Sequence, residues 1–89
     1  MIRRNVVYSG SVQGVGFRAT AQRIARRFSV AGWVRNLPNG TVELLVEGQE
    51  ADVNAFLAKL AQRMAGYVTD VQIAADAATG EWSGFDIVR

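Results

Sequence analysis

Cysteine and histidine are both missing from the 89 residues, and proline occurs once. Without Cys the chain has no disulfide framework, no thiolate metal site and no cysteine nucleophile. Without His it lacks the usual general base of acyl transfer, the zinc sites built on imidazole, and the Ser-His-Asp and Cys-His pairs. Chemistry is left to Arg, carboxylates, amides, backbone N–H groups or the substrate itself. Long apolar runs are also missing, since nothing approaches the ~18 consecutive apolar residues of a membrane span. The opening MIRRNVVYSGSVQ is broken by polar residues before any apolar core of the roughly 7 to 15 residues that a signal peptide needs. These absences predict a soluble, cytoplasmic protein.

What is present is globular in composition: 49% hydrophobic and 20% charged residues. The length falls below the usual ~100 to 200 residues per domain, so a single domain over residues 1–89 is expected. A chain this short buries only about 60% of its unfolded surface, and its few elements must share one apolar face. The net charge is +2, and nine of the ten basic residues are Arg. The fixed fork of guanidinium donors suits planar oxyanions such as carboxylate and phosphate. The positive excess is too small to indicate a nucleic-acid partner.

Periodicity then divides the chain. Residues 5 to 12 alternate as a strand, with Val6, Tyr8, Gly10 and Val12 on one face. Between residues 17 and 28 the period changes, and Phe17, Ala21, Ile24, Ala25 and Phe28 form one helical stripe with Arg23, Arg26 and Arg27 on the solvated side. Trp33 to Leu37 resembles a strand running into the hairpin signal Pro38-Asn39-Gly40. In TVELLVE, Val42, Leu44 and Val46 alternate with Glu43, Leu45 and Glu47, so both Glu residues are expected to point outward. Val53, Phe56, Leu57, Leu60 and Met64 give a second amphipathic helix over residues 51 to 64, with Asp52 in the first turn, where the helix dipole favours an anion. Residues 67 to 74 alternate again, 75 to 83 read as a loop, and Phe85 and Ile87 make a short closing strand on the core face.

This order predicts an α+β fold, the ferredoxin-like βαββαβ sandwich, with two helices on one face of an antiparallel four- to five-stranded sheet. Trp33, Phe56 and Phe85 are expected in the core, and Tyr8 and Tyr67 on the helix-covered face. In this topology the first and second strands run parallel with the third between them. The turn at residues 13 to 17 and the stretch around Asn36 therefore approach each other at one end of the sheet.

That end is where chemistry can reside. GSVQGVGFR leaves a strand, turns through Gly14 and Gly16, and enters a helix whose first turn holds Arg18. Such a turn can gather backbone N–H groups into an anion cradle, to which the free donors of the helix N-terminus add. A Walker loop is excluded because the Lys-Ser/Thr ending is missing, and the spacing is not that of a dinucleotide fold. A purely steric role for the glycines, with Arg18 solvated, fits the same residues. However, a cation in the first turn opposes the helix dipole by ~0.3 to 1 kcal/mol unless an anion joins it. Asn36 likewise has two readings, as a former of the hairpin turn or as an amide that holds a water beside the anion.

GSVQGVGFR, followed by GWVRNLPNGTVELLVEG, closely resembles the paired signatures of the acylphosphatase family. The second match runs through Gly32, Trp33, Val34, Arg35, Asn36, Gly40, Val42 and Gly48, and the ending FDIVR is similar to the family's short last strand. The resemblance covers nearly the whole chain. It implies hydrolysis of the anhydride between carboxylate and phosphate in a small-molecule acyl phosphate, with inorganic phosphate as product and no metal or cofactor. It implies that Val12, Gln13, Gly14, Val15, Gly16 and Phe17 wrap the phosphoryl group with main-chain N–H donors, that Arg18 binds its oxygens, and that Asn36 orients the attacking water. No nucleic acid or membrane partner is implied, and a monomer is expected. The chain departs from the family in having Leu37 where many members carry a hydroxyl residue, Tyr8 where an aliphatic is common, and no Pro in MAGYVTD.

Overall fold

The computed structural model describes residues 1–89. Seven elements follow in order: β1 (Ile2–Gly10), α1 (Phe17–Ala25), β2 (Val30–Asn36), β3 (Val42–Gly48), α2 (Glu50–Arg63), β4 (Val68–Asp76) and β5 (Phe85–Ile87). The five strands form one sheet in the order β4-β1-β3-β2-β5. β3 lies between β1 and β2 and is antiparallel to both, so those two strands run the same way. The helices pack on each other and on β2, β3 and β5. The expected βαββαβ sandwich is therefore present.

One pairing departs from the antiparallel expectation, because β5 runs parallel to β2. Connectivity gives the reason. β4 is antiparallel to β1 and ends where β1 and β2 begin, so the chain crosses beneath that end of the sheet and must ascend alongside β2.

Burial follows the periods of the sequence. In α1 the buried residues are Phe17, Ala21, Ile24 and Ala25, and in α2 they are Val53, Phe56 and Leu60. They meet Val6 and Tyr8 of β1, Val34 of β2, Val42, Leu44 and Val46 of β3, and Phe85 of β5 in one core cluster. Each fully buried Phe or Leu in it stabilises the fold by about 1.5 to 3 kcal/mol relative to exposure. Phe56 meets Phe85 edge-on, with ring centroids 5.3 Å apart. Through that contact the second helix holds the closing strand.

Several expectations change. Helix α1 stops at Ala25 and does not continue to Phe28. Arg27 N and Phe28 N donate to the carbonyls of Ile24 and Ala25, a tightened last turn that still lets Phe28 pack partly against the core. β1 begins three residues earlier than expected, because Ile2, Arg3 and Arg4 pair with the end of β3. β4 runs on to Asp76, because Ala75 and Asp76 pair with Arg4 and Arg3.

Trp33 is not core. Strand alternation turns it to the face away from the helices, where the Arg35 guanidinium lies 5.0 Å from its ring centroid. Tyr67 is 43% exposed, and Val71 and Ile73 are 42% and 59% exposed although their alternation is regular. They stand on or beside the edge strand, outside the helix layer.

Glu47, expected to point to solvent, is 3% exposed. The connection from β4 to β5 crosses over it. Its carboxylate accepts hydrogen bonds from Thr79 N (2.8 Å), Gly80 N (2.9 Å) and Thr79 Oγ1 (3.3 Å), with an Arg3 guanidinium nitrogen 4.0 Å away. Burial by itself raises the pKa of this carboxyl, but these hydrogen bonds and Arg3 outweigh it and hold the group below its ordinary value. Trp82 closes the same corner, with the Arg3 guanidinium 5.3 Å from its ring centroid.

Candidate active site

At the opposite end of the sheet, β1 leaves its ladder at Gly10 and the chain turns into α1. Gly14 and Gly16 have φ of 77° and 79°. A Cβ at either would meet nothing within 4 Å, so the left-handed backbone and not a lack of space calls for glycine. Gly16 is the N-cap of α1 and supplies no side-chain cap, and the first turn contains no acidic residue. From Val12 through Gly16 no backbone N–H donates to an oxygen of the chain, and the first helical bond runs from Thr20 N to Gly16 O at 2.9 Å. A run of free donors thus sits at the positive end of a helix dipole.

Sheet register brings Asn36 to this turn. As the last residue of β2 it pairs with Val42, which in turn pairs with Tyr8 near the end of β1. A cavity of about 220 Å³ opens there, lined by Val12, Gly14, Gly16, Phe17, Arg18, Ala19, Asn36 and Ile87. The Asn36 Oδ1 atom is buried and has no hydrogen-bond partner. Gln13 and Val15 do not line the cavity; Val15 packs against the core, and the Gln13 side chain points to the β2–β3 hairpin.

The charges nearby sort into committed and free. Arg35 is bound to Glu43 at 2.6 Å, and Asn5 also donates to Glu43 at 3.2 Å. Arg3 faces Glu47. Arg18 has neither an ion pair nor a side-chain hydrogen bond, so its guanidinium is available to an incoming anion. Tyr8, packed against Phe17 with ring centroids 4.8 Å apart, is buried, and burial drives its phenol far above the usual range, so it stays neutral and supplies no base. No three acidic residues cluster closely enough to hold a metal ion.

A model of the family described as Acylphosphatase matches residues 4–87. The chain belongs to the acylphosphatase family. An acylphosphatase of Methylococcus capsulatus is 42% identical over 90 residues, covering 100% of this chain and 98% of its own length. One from Geotalea uraniireducens is 44% identical over 87 residues, covering 97% and 96%. Among solved structures, the acylphosphatase from Bacillus subtilis superposes with a TM-score of 0.90 at 32% identity, covering 100% of both chains. This acylphosphatase-family chain is accordingly an enzyme with the family's ferredoxin-like fold.

Two lining residues, Ala19 and Ile87, escape the sequence reading. Ile87 is read there as a core residue of the closing strand, yet it is 40% exposed at the cavity. Its signal is topological: the parallel pairing of β5 with β2 sets Ile87 beside Val34, two residues from Asn36.

Proposed function

We propose that this acyl phosphate hydrolase holds the phosphoryl group with the main-chain N–H groups of Val12 to Phe17 and the Arg18 guanidinium, while Asn36 orients the attacking water. The observation that carries this reading is that Asn36 lines the same cavity as Arg18 and the glycine turn, while its buried Oδ1 is paired with no group of the chain. A buried acceptor left unpaired costs about 1 to 3 kcal/mol, and a turn of the Asn36 amide that presents it to a water beside the substrate removes that cost.

The chemistry matches the residue supply. Phosphoryl transfer runs through a loose transition state that gains most from positioning and charge stabilisation. The free N–H groups and the Arg18 fork meet the negative charge on the phosphoryl oxygens. Asn36 accepts one water proton in a hydrogen bond and so aims the water's lone pair at phosphorus, in line with the departing carboxylate. Water adds to phosphorus, the bond from phosphorus to the acyl oxygen breaks, and the water's proton passes to a phosphoryl oxygen. A carboxylate is a good leaving group and needs no protein acid, which suits a chain without His. Ala19 and Ile87 supply an apolar wall for the acyl end.

The test is hydrolysis of benzoyl phosphate, followed by absorbance with a chelator present. The parent turns over, and Arg18→Ala does not. Equal rates in the two proteins contradict the proposal.

A further inference from the structure

We infer that Gln13 is a positioning residue whose carboxamide fixes the distance between the phosphate cradle and the Asn36 water site. The inference rests on the reading of that site given above. Gln13 Nε2 donates to Leu37 O at 2.8 Å and to Thr41 O at 2.9 Å. Both amide protons are thereby used, and none is left for a substrate oxygen.

The two ends of this strut fall at telling places. Gln13 stands between Val12 and Gly14, both of which line the cavity, and Leu37 follows Asn36 directly. Leu37 and Thr41 close the base of the hairpin turn, since Leu37 N donates to Thr41 O at 2.9 Å and Gly40 N donates to Leu37 O at 3.1 Å. Gln13 therefore ties a turn whose N–H groups from Val12 through Gly16 bond to no oxygen of the chain to a strand end held in a ladder.

The partners of Gln13 separate positioning from folding. Each carbonyl it reaches already accepts a hairpin hydrogen bond, so removing the Gln13 side chain strands no buried acceptor and leaves the turn closed. What is lost is the registration of the turn against Asn36. In-line attack is sensitive to such a loss, because misplacement by about 1 Å can lower a rate by roughly 100-fold. Phosphate binding is less sensitive, since several N–H groups and the flexible Arg18 can follow the anion.

Two substitutions test this. Gln13→Met keeps the length and removes both donors. Gln13→Glu keeps the shape but turns a carboxylate toward two carbonyl oxygens until a proton restores one donor. For parent and variants, kcat and KM for benzoyl phosphate, the inhibition constant of inorganic phosphate, thermal stability and the pH profile between pH 4 and 7 are measured. For Gln13→Met, kcat is expected to fall by about tenfold or more while the phosphate inhibition constant changes by about twofold or less. For Gln13→Glu, kcat relative to the parent is expected to recover as pH falls, as the carboxyl regains a proton to donate.

An unchanged kcat in Gln13→Met overturns the inference. So does a parallel loss of kcat and phosphate affinity, which would make the Gln13 side chain part of the cradle. Should Gln13→Met not fold, a flat relative pH profile in Gln13→Glu overturns it. Arg18→Ala is assayed alongside: turnover retained there overturns the reading of the site itself, whatever Gln13 does.

Discussion

Asn36 stands level with Tyr8 across the sheet, with Val42 paired between them. That register is what turns two motifs distant in sequence into one site. β1 delivers the glycine turn and Arg18 at its end, β2 delivers Asn36 at its end, and the shared neighbour β3 fixes how far each strand runs. A one-residue slip of β2 would turn Asn36 to the face away from the helices and empty the site of its amide.

Gly16→Ala tests the backbone of the cradle. Gly16 caps α1 at φ 79° and ψ 20°, and an L-residue held in that region costs about 1 to 2 kcal/mol. The variant is expected to melt several degrees lower and to bind inorganic phosphate more weakly, as read by thermal denaturation and product inhibition. An equally stable variant with unchanged inhibition would show that the left-handed cap is not needed.

Glu47 makes stability pH-dependent at the end of the sheet remote from the cavity. Its folded pKa lies below the ordinary 4.5, so its contribution is complete above that value and is lost as pH falls below 4.5 through the folded pKa. Denaturant unfolding from pH 7 to pH 3 should show the parent losing stability in that window. Glu47→Gln should be less stable at pH 7 and show a smaller loss on acidification, with kcat unchanged. A variant as stable as the parent at pH 7 would show that the carboxylate does not pin the β4–β5 crossing.

Ile87→Ala probes the acyl end. Ile87 is the exposed apolar residue at the cavity, and losing roughly 1 kcal/mol of apolar contact corresponds to about fivefold in binding. KM for benzoyl phosphate is expected to rise by about that factor, while KM for acetyl phosphate and inhibition by inorganic phosphate stay as in the parent. Equal shifts for both substrates would place Ile87 outside acyl recognition.

How much of this was legible in the sequence depends on where the information lies. The alternation in TVELLVE and the stripe from Phe17 to Ala25 are local patterns, and they appear in β3 and α1 as expected. The glycine turn with Arg18 behind it, and the Asn at a strand end, are also local, and the topology brings them together. Alternation cannot say how far a helix layer extends, so the regular pattern of residues 67 to 74 gives no sign that Val71 and Ile73 lie open on the edge strand. Glu47 reads as outward because the residues that cover it, Thr79 and Gly80, come from the distant β4–β5 crossing. The bonds of Gln13 were not legible, because its acceptors are main-chain carbonyls, which every sequence contains.

The central claim is a division of labour between Arg18 and Asn36. It is tested most directly by measuring kcat for benzoyl phosphate and the inhibition constant of inorganic phosphate in Arg18→Ala and Asn36→Ala, side by side with the parent. The account predicts that Arg18→Ala loses both turnover and phosphate affinity, whereas Asn36→Ala loses turnover by about 100-fold or more and keeps phosphate affinity within about twofold. Equal loss of phosphate affinity in the two variants would contradict it.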